Sequence, residues 1–215
     1  MKNNTFTVRL ADTNHQRNEA GQLIDKMYAW RGYQSSGTAP AHPNRVTLVA
    51  SADENTLATI TIGFDSRVGL LADTLYRDEI NQLRRSGKRL CEFIKLAVDG
   101  GVKSKQVLAA IFHISHIYAY TVTHHTDLFI EVNPRHAAFY ERMLGFVRLA
   151  DERLNPRVNA PAVLLWVSLE MVDEKIREFG GHPELAVSEK SLFPYAFTQD
   201  EQEQIAQQLR LLHLE

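Results

Sequence analysis

Four sets of side chains carry the chemical potential of this chain. Glu92 and Lys95, a carboxylate and an ammonium three residues apart, lie in the apolar run 89–98. A carboxylate there can take a proton from a reacting group. Tyr140 sits in Asn133-Pro134-Arg135-His136-Ala137-Ala138-Phe139-Tyr140-Glu141-Arg142-Met143-Leu144-Gly145-Phe146. Cys91 is the single cysteine, so it has no disulfide partner within the chain and no second thiol for zinc. No base can be assigned to it by spacing, which argues against a nucleophile. His113 and His116 are three apart, with His124, His125 and Asp127 beyond them. Such a pair can face one metal ion, yet no HExxH-type motif is present.

The elements that must position these groups follow from periodicity. Residues 5–11 alternate as a strand does, and 14–31 repeat Ala20, Leu23, Ile24, Met27 and Tyr28 at helical spacing. Residues 32–44 read as a loop, and 45–51 and 56–64 as a strand pair. Asp73 can cap a helix bearing Tyr76, Ile80 and Leu83, with Gly87 at its end. A strand over 89–98, a long apolar helix over 105–121 and a short buried strand over 128–132 follow. Asn133 and Pro134 open the next helix as N-cap and first turn, and Gly145 stops it. Residues 146–154 and 163–171 read as a final strand pair. Thr198-Gln199-Asp200-Glu201 is a capping box before Ile205, Leu209 and Leu212. The order predicts an α/β (α+β) mixed sheet with helices on both faces.

Composition bounds the function. The chain has 215 residues and a net charge of −2, which argues against a general nucleic-acid binder. The longest apolar runs, 107–112 and 162–167, fall far short of the roughly 20 residues that span a bilayer. The N-terminus lacks the apolar centre of a signal peptide, and a single cysteine fits a reducing cytosol. A cytoplasmic protein is the expectation.

The Asn-Pro-x-x-x-x-x-Tyr-x-x-x-Gly-Phe run resembles the strand-helix-strand end of the GNAT acyltransferase superfamily. Residues 64–76 and 91–99 are similar to N-acyl amino acid synthases, members of that superfamily that make long-chain products such as N-acyltyrosines. Glu92-x-x-Lys95-Leu96-x-Val98 is also similar to the Glu-x-x-Arg-Phe strand of acyl-homoserine lactone synthases. The resemblances cover roughly residues 55–150. They imply a mostly antiparallel GNAT sheet, one domain over 1–171 and a C-terminal extension over 172–215 packed on it. They also imply an acyltransferase with no tightly bound cofactor, and a proton from Tyr140 for the departing thiolate.

One departure bears on the acyl donor. Superfamily members that use acetyl-CoA usually carry Arg/Gln-x-x-Gly-x-Gly/Ala after this strand, where glycines let backbone N–H groups approach the pyrophosphate. Here the segment reads Lys103-Ser104-Lys105-Gln106-Val107-Leu108. The glycines are missing, and Val107 and Leu108 are expected to crowd the phosphates. A phosphopantetheine thioester on an acyl carrier protein, the donor the synthase resemblance implies, suits this segment better than CoA. Residues 77–105 hold eight basic and four acidic side chains, a local +4. Arg84, Arg85, Lys88 and Arg89 are therefore the expected docking patch for an acidic carrier.

The implied reaction joins the α-amine of an amino acid to the thioester carbonyl. The amine arrives mostly as ammonium, and Glu92 is the candidate base. Strict alternation puts Glu92 and Lys95 on opposite faces, so a β-bulge is needed to bring them together. Such a bulge frees a backbone N–H near Leu96 or Ala97 for the thioester oxygen. Leu96, Ala97, Val98, Lys103, Ser104, Lys105 and Asn133 form the expected donor-binding set. Phe93, Phe112, Phe129 and the helix over 107–120 are candidates for an acyl slot. Arg135, Arg153 and Arg157 are available for the acceptor carboxylate, and the sequence does not rank them. The competing readings are a CoA-dependent N-acetyltransferase of a small amine, an acyl-homoserine lactone synthase, and a non-catalytic module that binds an acyl carrier or ligand.

Overall fold

The computed structural model describes residues 6–30, 32, 43–53, 55–102 and 104–213. Its strands are β1 (Thr7–Leu10), β2 (Arg45–Ala52), β3 (Asn55–Phe64), β4 (Leu90–Val98), β5 (Asp127–Val132), β6 (Val147–Arg148), β7 (Arg153–Asn155) and β8 (Ala160–Ser168). Its helices are α1 (Asn14–Trp30), α2 (Asp73–Arg85), α3 (Lys105–His116), α4 (Pro134–Leu144), α5 (Leu169–Phe179) and α6 (Gln199–His213). The sheet runs β1-β2-β3-β4-β5-β8-β6, with β7 paired to β8 at its start. Of these pairings only β4–β5 is parallel. The helices flank both faces, as expected of a GNAT sheet.

Alternation along the strands sorts the core into two layers. Leu48, Ile60, Ile62, Phe93 and Ile130 pack with residues of α3, α4, α5 and α6 in one cluster. On the other face Tyr76, Ile80, Leu90, Phe129 and Leu164 pack beneath α2. Leu23, Ile24 and Met27 of α1 pack on Ala97. Ala206 and Leu209 of α6 belong to the first cluster, so the C-terminal segment completes the core of the sheet.

Several boundaries differ from the sequence reading. The helix expected over 105–121 stays α-helical only to His116 and continues as a π-helical segment, Ile117–Val122. The expected strand over 146–154 breaks into β6 and β7, and the next strand ends at Ser168. There Ser168 caps α5 by accepting from Met171 N–H at 3.5 Å. The Leu169, Val172 and Ile176 spacing had carried that helical signal. Asp73 does not cap α2. Its Oδ2 reaches back to Leu70 N–H at 2.6 Å. The segment 180–195 forms two short 3-10 turns and buries Leu192 and Phe193 against the core. It therefore wraps the α3–α5 side and does not line the cleft described below. His113 and His116 serve packing: His113 accepts from Phe197 N–H and pairs with Gln202, and His116 faces Asp173 at 3.5 Å.

Candidate active site

The site begins with a failure of pairing. β4 and β5 run parallel from Leu90↔Asp127 to Phe93↔Ile130 and then part, although both strands continue. On its other edge β4 carries a bulge: Thr61 pairs with Ile94 and Thr59 with Ala97, so Lys95 and Leu96 together oppose Ile60. Lys95 takes φ 53°, a left-handed conformation that costs a side-chain-bearing residue about 1–2 kcal/mol. The bulge turns β4 away from β5. A cavity of about 450 Å³ opens at the split, lined by residues of both strands.

This cleft passes through the sheet. On the α1–α2 side it is lined by Arg45, Glu92, Glu131, Asn155 and Arg157. On the α3–α4 side it is lined by Phe93, Phe112 and Tyr140. The rings of Phe93 and Phe112 stack at 6.5 Å, and Tyr140 meets Phe112 edge-on at 6.4 Å. Phe129, expected in an acyl slot, is instead fully buried beneath α2. Cys91 is buried off the cleft, and burial pushes its thiol well above the ordinary value. Both facts count against a nucleophile.

Glu92 is the best-held group in the cleft. It is 3% exposed, and its two oxygens accept from Leu71 N–H at 2.7 Å and Ala72 N–H at 3.1 Å. Room for it comes from Gly63, its partner on β3: a Cβ there would stand 3.0 Å from Glu92 Cγ and 3.0 Å from its Oε1. Burial lifts the carboxyl to about 7, against the lowering effect of the two backbone N–H groups and of Arg45 and Arg157. That value suits a base working near neutrality. The bulge at Lys95 and Leu96 that the Glu92–Lys95 pairing was expected to need is present, and the backbone donors Leu71 and Ala72 hold Glu92. Lys95 lines the cleft half-buried, and burial, reinforced by Arg45, holds its ammonium below the ordinary range.

The loop that grips Glu92 is itself pinned. Arg84 binds Asp65 through Nε and Nη2 at 2.7 and 2.8 Å, and Asp73 through Nη1 and Nη2 at 2.6 and 2.7 Å. Gly69 makes the turn at φ 76°, where a Cβ would fall 2.5 Å from Asp73 Oδ2. Arg84 therefore corrects its assignment to a docking patch: its guanidinium is turned inward by two carboxylates.

Arg85, Lys88 and Arg89 are exposed, but they precede β4, while the split opens after Phe93, midway along the strand, and the α3 N-terminus follows its far end. At about 3.3 Å per residue the strand puts roughly 25 Å between the two ends. The basic run that is continuous in sequence is divided in space.

Of the donor-binding set, Leu96 and Asn133 line the cleft, and Ala97 and Val98 continue the diverging strand. Asn133 caps α4, accepting from Arg135 N–H at 3.2 Å. Ser104 precedes α3, and Lys105 opens it with Nζ 5.7 Å over the Tyr195 ring. Lys103 lies outside the described residues. Val107 is buried and Leu108 half-buried against the core, so neither stands over the helix mouth as the sequence suggested. Ser104, Lys105 and Gln106 occupy that mouth without a glycine.

Three cleft residues with charged or amide side chains escaped the sequence reading. Arg45 is paired with Gly63, which is paired with Glu92, so Arg45 and Glu92 flank a position without a side chain. Glu131 and Asn155 also enter, and Arg157 joins them through Glu131 Oε1 at 2.9 Å. The structure thus ranks the candidate arginines: Arg153 pairs with Glu79, Arg135 meets His136, and Arg157 alone of the three lines the cleft. No local pattern marks Arg45 or Glu131, because strand register creates their proximity.

Comparison with known proteins agrees with this geometry. Residues 19–168 match the family described as N-acyl amino acid synthase FeeM. The solved structure of FeeM, an N-acyl amino acid synthase from uncultured soil microbes, is similar over 79% of this chain and 95% of that one, with 27% identity and a TM-score of 0.70. The acyl-homoserine lactone synthase LasI shares the fold at 11% identity and TM-score 0.54, over 77% of this chain and 91% of its own. An N-acetyltransferase from Staphylococcus aureus Mu50 shares it at 13% identity and TM-score 0.55, over 77% and 99%. No curated protein sequence matches the chain. No helix among the described residues is long and apolar enough to cross a membrane. With a GNAT fold, a split β4–β5 cleft and a family match over most of its length, this chain is an acyltransferase that belongs to the FeeM family of N-acyl amino acid synthases.

Proposed function

We propose that this protein moves a long-chain acyl group from the phosphopantetheine thioester of an acyl carrier protein to the α-amine of an amino acid. The observation that carries this reading is a cleft running through the sheet, with Glu92 on one side and Tyr140 on the other. A thioester entering along the α3–α4 side and an amine entering along the α1–α2 side would meet at the split.

The chemistry follows from that arrangement. The acceptor ammonium gives a proton to Glu92, which passes it to solvent. The freed nitrogen attacks the thioester carbon, and the C–N bond forms. A backbone N–H of the bulge at Leu96 or Ala97 stabilises the charge developing on oxygen. Collapse breaks the C–S bond. Tyr140 gives its proton to the sulfur and recovers one from the nitrogen. Tyr140→Phe should then lower kcat about 10–100-fold with little change in donor KM. An unchanged kcat would remove the phenol from the mechanism.

The glycine-free mouth of α3 supports a carrier-borne arm over CoA, whose pyrophosphate needs close backbone approach. An arm entering at that mouth would seat its carrier at the Lys105 end of the sheet, with Arg85, Lys88 and Arg89 taking a long-range part in steering. Purified protein, long-chain acyl carrier protein and a mixture of amino acids should yield N-acyl amino acids by mass spectrometry. Turnover from acetyl-CoA and none from the carrier would overturn the reading. Lys105→Glu should raise the KM for acyl carrier protein several-fold at low salt and spare a small thioester donor. Reversal at Arg85 and Lys88 should do less at about 0.1 M salt, where a charge beyond the Debye length of about 10 Å is largely screened.

A further inference from the structure

Glu131 is the cleft residue whose chemistry the mechanism above leaves unused. Its position is set by the split: Phe93↔Ile130 is the last β4–β5 pair, so Glu131 is the first β5 residue beyond it. Register also fixes its face. Glu131 pairs with Leu164, which packs beneath α2, so it shares the α1–α2 side with Glu92 and Arg45. Its side chain is 11% exposed.

The two oxygens of Glu131 are treated very differently. Oε1 accepts from Asn155 Nδ2 and from Arg157 Nη2. Asn155 is in turn fixed by Arg157 N–H, which donates to its Oδ1 at 2.8 Å. Oε2 is fully buried and has no hydrogen-bond partner among the described residues. Leaving a buried carboxylate oxygen unpaired is costly, and natural structures do so rarely. The clamp on Oε1 orients the group and leaves Oε2 for a donor from outside the chain.

Arg45 supplies the complementary half. It lines the same cleft and forms no ion pair among the described residues. It stands across Gly63 from Glu92, two strand spacings or about 10 Å away along the sheet. Arg157 cannot take this role as readily, because its guanidinium already serves Glu131 and Asn155.

We propose that Glu131 and Arg45 form the acceptor seat: Glu131 Oε2 receives an N–H of the acceptor's ammonium, and the Arg45 guanidinium pairs with its α-carboxylate. The inference rests on the acyl-transfer reading for its biological meaning, but it predicts recognition of a free zwitterionic amino acid whether or not transfer follows. An amine without a carboxylate would satisfy only half of the seat. Both residues are binding residues, and the proton transfer stays with Glu92.

Direct binding tests this apart from turnover. Calorimetric titration of the full chain with the common free amino acids, and with the carboxamide of each binder, needs no donor. The wild type should bind at least one amino acid and prefer it roughly 10-fold or more over its carboxamide. Arg45→Gln should weaken the amino acid to the level of the carboxamide and leave the carboxamide unchanged. Glu131→Gln keeps a carbonyl for Asn155 and Arg157 and should weaken both ligands roughly 10- to 100-fold. Glu131→Asp, which withdraws the carboxylate but preserves its charge, serves if the glutamine variant fails to fold. The seat is overturned if no common amino acid binds the wild type, or if the variants bind as the wild type does. It is also overturned if Arg45→Gln weakens the carboxamide as much as the amino acid. Binding with the expected dependences but without acyl transfer would support the seat and count against the transferase reading alone.

Discussion

Glu92→Gln should reduce kcat by about 100- to 10,000-fold while leaving the KM for the acyl donor nearly unchanged. The isosteric amide can fill the space beside Gly63, but it cannot take a proton. The pH profile sharpens the test. Burial places the carboxyl at about 7, and only the carboxylate form accepts the amine's proton. Below that value kcat should therefore rise about tenfold per pH unit and flatten above it. In the glutamine variant this rising limb should vanish. A variant that retains the limb would show that another group titrates it, and an unchanged kcat would remove Glu92 as base.

Arg84→Met should produce the largest loss of stability for a change outside the hydrophobic core. It leaves Asp65 and Asp73 without their guanidinium, and Asp73 is only 7% exposed. Breaking a buried pair typically costs 3–5 kcal/mol. Since these side chains are partly exposed, we expect about 2–3 kcal/mol, read from urea midpoints. Burial tends to raise Asp73, but Arg84 and Leu70 N–H outweigh it and hold the carboxyl below its ordinary value of 3.8. The stability supplied by this pair is thus present above pH 3.8 and is lost as pH falls through the folded value. The methionine variant should lose that acid-side dependence.

Arg84→Met should also reach the active site. The loop it pins presents the N–H groups of Leu71 and Ala72 to Glu92, and both bonds lower the Glu92 carboxyl. Loosening them should move the rising limb of the pH profile above 7 and lower kcat at neutral pH. Those two shifts together mark Arg84 as a positioning residue. A fall in stability with an unmoved profile would restrict Arg84 to a structural role.

Much of the fold was readable along the chain because its signals are local. Asn133, Pro134 and Gly145 punctuate α4 by backbone preferences that act within a turn, and α1, β2, β3 and β4 followed from apolar periodicity. Glu92 and Tyr140, which both line the cleft, could be singled out because each sits inside a contiguous motif. The errors arose where local signals compete. Ser168 ends a β-branched and aromatic run and caps a helix at once, so β8 was extended into α5. The switch from α to π geometry after His116 leaves no compositional mark.

The chain's residue types and their order decided that this is a mixed sheet with a strand carboxylate and a helical phenol suited to acyl transfer. Tertiary structure alone decided how the charges are shared. Arg45, Gly63 and Glu92 form one row only through the β2–β3 and β3–β4 registers. Glu131 reaches the cleft only because β5 leaves β4 one residue earlier. Arg84, which belongs to a basic run in sequence, is drawn inward by Asp65 and Asp73. Backbone preferences act over a few residues and are written in them, whereas charge pairing acts across whichever strands the fold brings together.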